Sequence, residues 1–331
     1  MPRALVTGAT GLIGSHIADH LLASGWSVRA LLRRASPELV SRGVEPAFGD
    51  VLDAASFASA ASECDVVFHA AAAITARGGW ESYRRPNVDG TTNAIVAAER
   101  SGARLVHVSS VAVYAGRYDD PSRKIDEGSL LDRALPEHAF YARSKRESEA
   151  LVLGAHAQGR IWATAVRPCV VYGERDRQFI PRIARVLRYG VAPAIGGGRT
   201  TLPIVGAGNV AQGAVLAASG DLAGGRAYNL TNDYDVTLRD LYRHAAEGLG
   251  RRMHVVPVPL APAEALLRAW MRLARRLRGG GSSGVSRAAL AMVTRDNPFS
   301  SDRARRELGW TPPVPPERGL VDAFRWWRIH G

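Results

Sequence analysis

The stretch Thr7-Gly8-Ala9-Thr10-Gly11-Leu12-Ile13-Gly14 restricts the fold of this chain more than any other. It follows an apolar run, ALVTG at 4–8, that reads as a buried strand. It opens GLIGSHIADHLLASG at 11–25, where Leu12, Ile17, Leu21 and Leu22 line up as a helix face and Gly25 marks the end. The glycines have separate uses there. Gly8 allows a tight turn, Gly11 lets the backbone approach a pyrophosphate, and Gly14 lets the helix pack close to the sheet. The helix N-terminus adds unpaired N–H groups and partial positive charge for phosphates. A plain strand–turn–helix corner has the same outline, but the position and the pattern that follows favour dinucleotide binding.

That pattern alternates strands with helices. SVRALLR at 27–33, VEPAFGD at 44–50, DVVFHAA at 65–71, RLVHVSS at 104–110 and WATAVRP at 162–168 read as further strands. Helical stretches lie at 88–102 and 138–158. The fold class is therefore α/β, a Rossmann-type doubly wound parallel sheet covered on both faces. After about residue 173 glycine and proline become frequent, and RAYNLTN at 226–232 reads as a strand returning to the sheet edge. The expected division is a nucleotide-binding domain over 1–172, with a return segment at about 204–232. A smaller C-terminal substrate lobe takes 173–203 and 233–331.

Two residues four apart on the 138–158 helix, Tyr141 and Lys145, share one face. Lys145 is one of two lysines in the chain, against 41 arginines. A free phenol titrates near ~10, too high for easy proton exchange at neutral pH, and a nearby ammonium lowers it. A compact ammonium also donates to ribose hydroxyls with a geometry that a planar guanidinium lacks. An ordinary exposed pair on an amphipathic helix has the same spacing. Ser109 and Ser110, however, end the fifth strand where the ligand crevice of such a sheet lies, and a serine hydroxyl there can hold a carbonyl oxygen.

The end of the second strand selects the cofactor. Leu32 stands where an acid would hold ribose hydroxyls, and Arg33 and Arg34 follow, a pair suited to a 2′-phosphate. NADP(H) is preferred, with NAD(H) possible. Asp50 is placed either to accept from an adenine amino group or to cap the next helix.

The chain carries 43 Lys and Arg against 31 Asp and Glu, a net charge of +12. Its arginines are scattered, and no nucleic-acid module is visible, so no nucleic-acid partner is expected. A GC-rich coding bias accounts for most of that charge. Cys64 and Cys169 cannot build a disulfide framework and read as small buried groups in a reducing compartment. The histidines show no metal-ligand spacing, and no metal is expected. Without a signal peptide or a bilayer-length apolar run, a cytoplasmic location is expected. APAEALLRAWMRLARRLR at 261–278 is amphipathic and reads as a lid over the substrate; a peripheral membrane contact is the second reading.

Seven segments together resemble a known family: TGATGLIG, GDV at 49–51, FHAAA at 68–72, NVDGT at 87–91, VSSVAVY at 108–114, YARSK at 141–145 and RPCVVYG at 167–173. They are similar to the extended short-chain dehydrogenase/reductases of the NAD-dependent epimerase/dehydratase class, over essentially the whole chain. The resemblance implies that Ser110 is the catalytic serine, Tyr141 the acid/base and Lys145 its partner. It implies cofactor contacts at Gly8, Thr10, Gly11, Leu12, Ile13 and Gly14, and at Asp50, Val51 and Ser109. Ala70 and Ala71 resemble the wall along the cofactor, Pro168 and Val170 the contacts near the nicotinamide, and Asn87 a structural anchor. A homodimer through the long helices is implied in the same way.

The tail FSSDRARRELGWTPPVPPERGLVDAFRWWR resembles the 3-beta-hydroxysteroid dehydrogenase-like branch, whose members act on hydroxysteroids and related β-hydroxy or β-keto compounds. Asn209 stands where sugar-nucleotide enzymes carry an aspartate, and Arg199 is out of register with their diphosphate arginine. The expectation is an NADP-dependent oxidoreductase that interconverts a ketone and a secondary alcohol on an apolar small molecule. A sugar-nucleotide epimerase, dehydratase or reductase is the second reading. A dinucleotide-sensing regulator is the third, but a pure binder needs no proton donor.

Overall fold

Seven short apolar strands form one sheet in which every neighbouring pair is parallel. The structure, a computed structural model, describes residues 1–75, 78–114, 124–131, 134–231, 234–261 and 294–331. The first six strands are β1 (Arg3–Thr7), β2 (Ser27–Leu32), β3 (Glu45–Phe48), β4 (Val66–His69), β5 (Arg104–Val108) and β6 (Ala163–Pro168). Three more follow: β7 (Val170–Tyr172), β8 (Val191–Ile195) and β9 (Ile204–Gly206). β10 (Ala227–Leu230) completes the sheet, whose order is β10-β6-β5-β4-β1-β2-β3. The expected return strand therefore docks at the edge, beside β6. The order reverses between β1 and β4, which opens a crevice outside the carboxyl ends of those strands.

β1 shows why both faces are covered. Ala4 and Val6 point into one core, Leu5 into another, as the two-residue repeat of a strand requires. On the first face lie α1 (Leu12–Ala23) and, much later in the chain, α8 (Ala207–Ser219), packed against each other. Ahead of the second-face helices comes the short α2 (Pro37–Ser41). The second face is covered by α3 (Ala54–Ala61) and α5 (Gly90–Ser101), with the one-turn α4 (Glu81–Arg84) between them, and by α6 (Phe140–Ala157).

A third core gathers Tyr172, Ile180, Leu241 and Phe324. It is built from α7 (Phe179–Val186), α9 (Leu238–Leu249) and the last helix, Pro316–His330, with Asp302–Leu308 forming α10 and that last helix α11. Two small parallel pairs border it, β7 with β9 and β8 with β11 (His254–Val258). β8 was not expected: it lies in a glycine- and proline-rich stretch, and a two-stranded pair needs no long apolar run. Asn209 on α8 pins the C-terminal segment. Its amide donates to the Val314 carbonyl at 2.9 Å and its carbonyl accepts from the Val314 N–H at 3.0 Å.

The sheet ends earlier than the sequence pattern suggests. The expected strands reach residues 8, 33, 50, 71 and 110, whereas β1–β5 stop at Thr7, Leu32, Phe48, His69 and Val108. The overhanging residues include Gly8, Arg33, Asp50, Ala70, Ala71, Ser109 and Ser110 of the candidate site. The expected amphipathic helix at 261–278 and the Gly/Ser break at 279–284 lie outside the described residues. Among those residues, no helix is long and apolar enough to cross a membrane.

Candidate active site

The phosphate end is defined by backbone contact. Gly8 has φ of +70°, and a Cβ there would sit 2.7 Å from the Ala71 nitrogen. A Cβ on Gly14 would sit 2.3 Å from the Gly8 carbonyl oxygen, so any side chain would push α1 off the turn. Ala70 and Ala71 thus press directly on the glycine turn. α1 has no side-chain cap and no acid in its first turn. Its first N–H groups are thus left without a side-chain acceptor, which fits the pyrophosphate of a dinucleotide. Thr10 and Gly11 are exposed at the tip, with Leu12 and Ile13 partly buried behind them.

Leu32 is buried at the end of β2, while Arg33 and Arg34 are exposed and have no ion pair or hydrogen bond with described residues. Asp50 does not cap α3. Asp53 does, accepting from Ala55 N–H at 3.0 Å. The Asp50 carboxylate instead closes a local turn, accepting from Leu52 N–H at 2.9 Å. Val51 packs against Gly90, and its carbonyl accepts from the Asn93 amide at 2.9 Å.

At the other end of the crevice, Ser109 N–H donates to the Val166 carbonyl at 2.8 Å, fixing the end of β5 to β6. Its hydroxyl is buried without a partner among the described residues. Ser110, the next residue, is partly exposed; its hydroxyl accepts from Ala112 N–H at 3.2 Å and lies close enough to Tyr141 to favour the ionised phenol. Lys145 is 2% exposed and donates from Nζ to the Val108 carbonyl at 2.8 Å. Serine, tyrosine and lysine thus come together from β5 and α6. Pro168 is buried and Val170 partly buried where β6 gives way to β7.

One expectation is corrected. The Tyr141 phenol is not pulled down by Lys145: burial pushes it up, and the Ser110 hydroxyl opposes this. The Lys145 ammonium is held by the Val108 carbonyl. Burial lowers it from 10.5 to about 8, against the opposing charge of Glu149.

Behind these residues runs a polar chain that sequence reading did not assemble. Ala71 N–H donates to Thr7 Oγ1 at 3.2 Å, and that hydroxyl lies 2.9 Å from His69 Nδ1. His69 Nε2 lies 3.2 Å from Thr91 Oγ1, which itself donates to the Asn87 carbonyl at 2.6 Å. Because Thr91 gives its proton to Asn87, His69 carries its own on Nε2 and accepts from Thr7 at Nδ1. The Asn87 amide brackets Ala73, accepting from its N–H at 2.7 Å and donating to its carbonyl at 3.0 Å. It also donates to Ser144 Oγ at 2.8 Å, and Ser144 donates to the Tyr141 carbonyl at 2.8 Å. The loop against Gly8 is thereby tied to the helix that carries Tyr141. Nothing in the spacing of Thr7, His69 and Thr91 signals this, because three separate elements supply them.

A family model described as the NAD dependent epimerase/dehydratase family matches residues 4–231. The chain belongs to that family. It is an NAD(P)-dependent oxidoreductase of the extended short-chain dehydrogenase/reductase type. This family member is 33% identical to the 4-hydroxy-2-methyl-3-oxo-4-farnesyl-3,4-dihydroquinoline-1-oxide ketoreductase of Stigmatella aurantiaca, over 98% of this chain and 96% of that one. It is 30% identical to the 2-alkyl-3-oxoalkanoate reductase of Stenotrophomonas maltophilia, over 96% and 97%. A 3-beta-hydroxysteroid dehydrogenase of Mycolicibacterium neoaurum is 27% identical over 97% and 90%, in keeping with the branch its tail resembles. Among solved structures, MoeE5 in complex with UDP-glucose and NAD superposes with a TM-score of 0.73 at 26% identity, covering 99% of both chains.

Proposed function

We propose that this family member is an NADP-dependent ketoreductase, or the reverse dehydrogenase, acting on an apolar β-keto or steroid-like substrate. The observation that carries the reading is the convergence of Ser110, Tyr141 and a buried Lys145 at the carboxyl end of β5, where Lys145 Nζ donates to the Val108 carbonyl at 2.8 Å. Relatives named as reductases of a ring ketone and of 3-oxoalkanoates support the substrate class. When bound, the nicotinamide supplies the hydride. Ser110 orients the carbonyl oxygen, and Tyr141 delivers its proton as charge develops there. Lys145 holds ribose hydroxyls beside the phenol. Gly8, Gly11, Gly14 and the open start of α1 hold the pyrophosphate, and Ala70, Ala71, Asp50, Val51 and Ser109 line its course. Pro168 and Val170 border the nicotinamide. Arg33 and Arg34 take the 2′-phosphate. Residues 173–203 and 233–331 form the substrate lobe, and 1–172 with 204–232 the cofactor domain.

The UDP-glucose complex of MoeE5 supports a second reading, a sugar-nucleotide enzyme. Against it, the Asn209 side chain is fully used on Val314, and Arg199 is exposed. Purified protein with NADPH or NADH, followed by nicotinamide absorbance, separates the two. β-Keto esters and keto-steroids form one panel, nucleotide-linked keto-sugars the other. Oxidation of NADPH by the first panel is expected, and turnover confined to the second gives the sugar-nucleotide reading. Tyr141→Phe should abolish turnover and leave cofactor affinity nearly intact; near-normal turnover in that variant removes the proton-donor role.

A further inference from the structure

Beneath the candidate active site lies a charged network that neither cofactor nor substrate accounts for. Glu149 and Arg167 form a two-pronged pair, Arg167 donating from Nε to Oε2 at 2.9 Å and from Nη2 to Oε1 at 2.5 Å. Their side chains are 3% and 5% exposed. The third guanidinium nitrogen, Nη1, donates to Tyr114 Oη at 2.6 Å, and Tyr114 donates to Asn229 Oδ1 at 2.8 Å. The Asn229 amide nitrogen faces the carbonyls of Ser300 and Ile125, at 3.1 and 3.4 Å. Tyr114 accepts from Arg167 and donates to Asn229, so the direction of its hydroxyl proton is fixed by its two partners. Such a pair is a poor source of stability, because desolvating two charges offsets their attraction.

Its members are placed on the segments that carry the reaction centre. Glu149 is one helical turn beyond Lys145 on α6. Tyr114 ends the 3₁₀ turn that begins directly after Ser110. Arg167 precedes Pro168 on β6, and Asn229 lies on β10 alongside it. We propose that Glu149, Arg167 and Tyr114 are positioning residues for the reaction: they hold the Ser110 turn against the helix of Tyr141 and Lys145, and keep a negative charge behind the Lys145 ammonium. The proposal rests on the reading of Ser110, Tyr141 and Lys145 given above.

The charges facing Lys145 make Glu149 the one anion that matters. From β4 and β5 come His69 and His107, both kept neutral by burial. From β6 comes Arg167, already paired with Glu149. On its own helix Lys145 has Tyr141 one turn before it and Glu149 one turn after. Burial brings the lysine down to about 8, and Glu149 opposes that fall. Losing the Glu149 charge makes the ammonium give up its proton at lower pH.

Two variants test this, with NADPH and a 2-alkyl-3-oxoalkanoate as the probe. Tyr114→Phe keeps the ion pair but removes its link to the Ser110 turn, leaving the turn held by Arg146 on the Val113 carbonyl. It should lower kcat at least about tenfold, the scale of a small misplacement of reacting groups, with NADPH Kd close to wild type and Tm lowered only as far as two unpaired buried partners require. The double variant Glu149→Gln with Arg167→Gln keeps shape and neutrality. Its kcat profile should lose activity on the alkaline side roughly one pH unit earlier than wild type. Wild-type kcat in Tyr114→Phe, or an unmoved alkaline limb in a folded double variant, overturns the proposal and leaves the network purely structural. Should the double variant not fold, kcat of Tyr114→Phe decides alone. A Tyr141→Phe protein that still turns over makes the underlying reading fail instead, a distinct result.

Discussion

Asn209 shows how much one side-chain atom decides. Its amide satisfies both the N–H and the carbonyl of Val314, which a carboxylate cannot do. Asn209→Asp turns one of those bonds into two oxygens facing each other, at a cost of about 1–3 kcal/mol. Urea unfolding should show a loss in that range, and an unchanged midpoint would mean that the tail is held elsewhere. Arg33 makes a different kind of claim, one about selectivity. Arg33→Ala should weaken NADPH about tenfold, the scale of one charge-assisted contact, and leave NADH nearly as it was. Equal weakening of both cofactors, measured by fluorescence titration, would remove the 2′-phosphate role. The spacing of Tyr141 and Lys145 placed them on one helix face, and the serines at the end of β5 gave that spacing its weight. Their pKa values were not legible, since the burial that shifts both groups comes from other elements.

Among the elements, α1 and its turn carry the tightest packing near the site. An alanine in a helix interior is ordinarily better than glycine by about 1 kcal/mol. At Gly14 the sign reverses, because the new methyl would stand 2.3 Å from the Gly8 carbonyl oxygen. Gly14→Ala should destabilise the protein by about 1–3 kcal/mol, the usual cost of overpacking, and weaken both NADPH and NADH together. A Gly14→Ala protein with wild-type Tm and cofactor affinity would show that the helix can shift without loss. The motif announced this packing, because glycine spacing between a strand and a helix is a local signal. β8 and β11 announced nothing comparable. A two-stranded pair depends on segments about sixty residues apart meeting, and its pattern is overwritten by glycine and proline.

At the scale of the whole molecule, buried histidines make stability depend on pH. His69 and His107 are each 1% exposed and stack at 5.7 Å between ring centroids. Burial, reinforced by the Lys145 charge, pushes His69 down to about 3 and His107 well below its ordinary value. An unfolded histidine takes its proton near 6.5, so below that pH the unfolded chain binds more protons than the folded one. Their contribution is fully present above 6.5 and is lost as pH falls toward the folded values. Each costs about 1.4 kcal/mol per pH unit in that window, so the pair should cost about 3 kcal/mol at pH 5.5 relative to pH 7.5. Urea unfolding at the two pH values measures it, and equal stability at both would sink the assignment.

By itself the sequence determined the sheet, the glycine turn and the shared helix face of Tyr141 and Lys145. These are encoded in residues close together in the chain, as two-residue and helical repeats and as fixed short spacings. Only the tertiary structure decided what surrounds them: which face each strand buries, that Asp53 rather than Asp50 caps α3, and that Tyr141 titrates upward. It alone joined Thr7, His69, Thr91 and Asn87 into one chain, and Glu149, Arg167 and Tyr114 into another. Such contacts bring together residues tens of positions apart. Their energies depend on burial and on partner geometry, neither of which exists until the chain has closed around them.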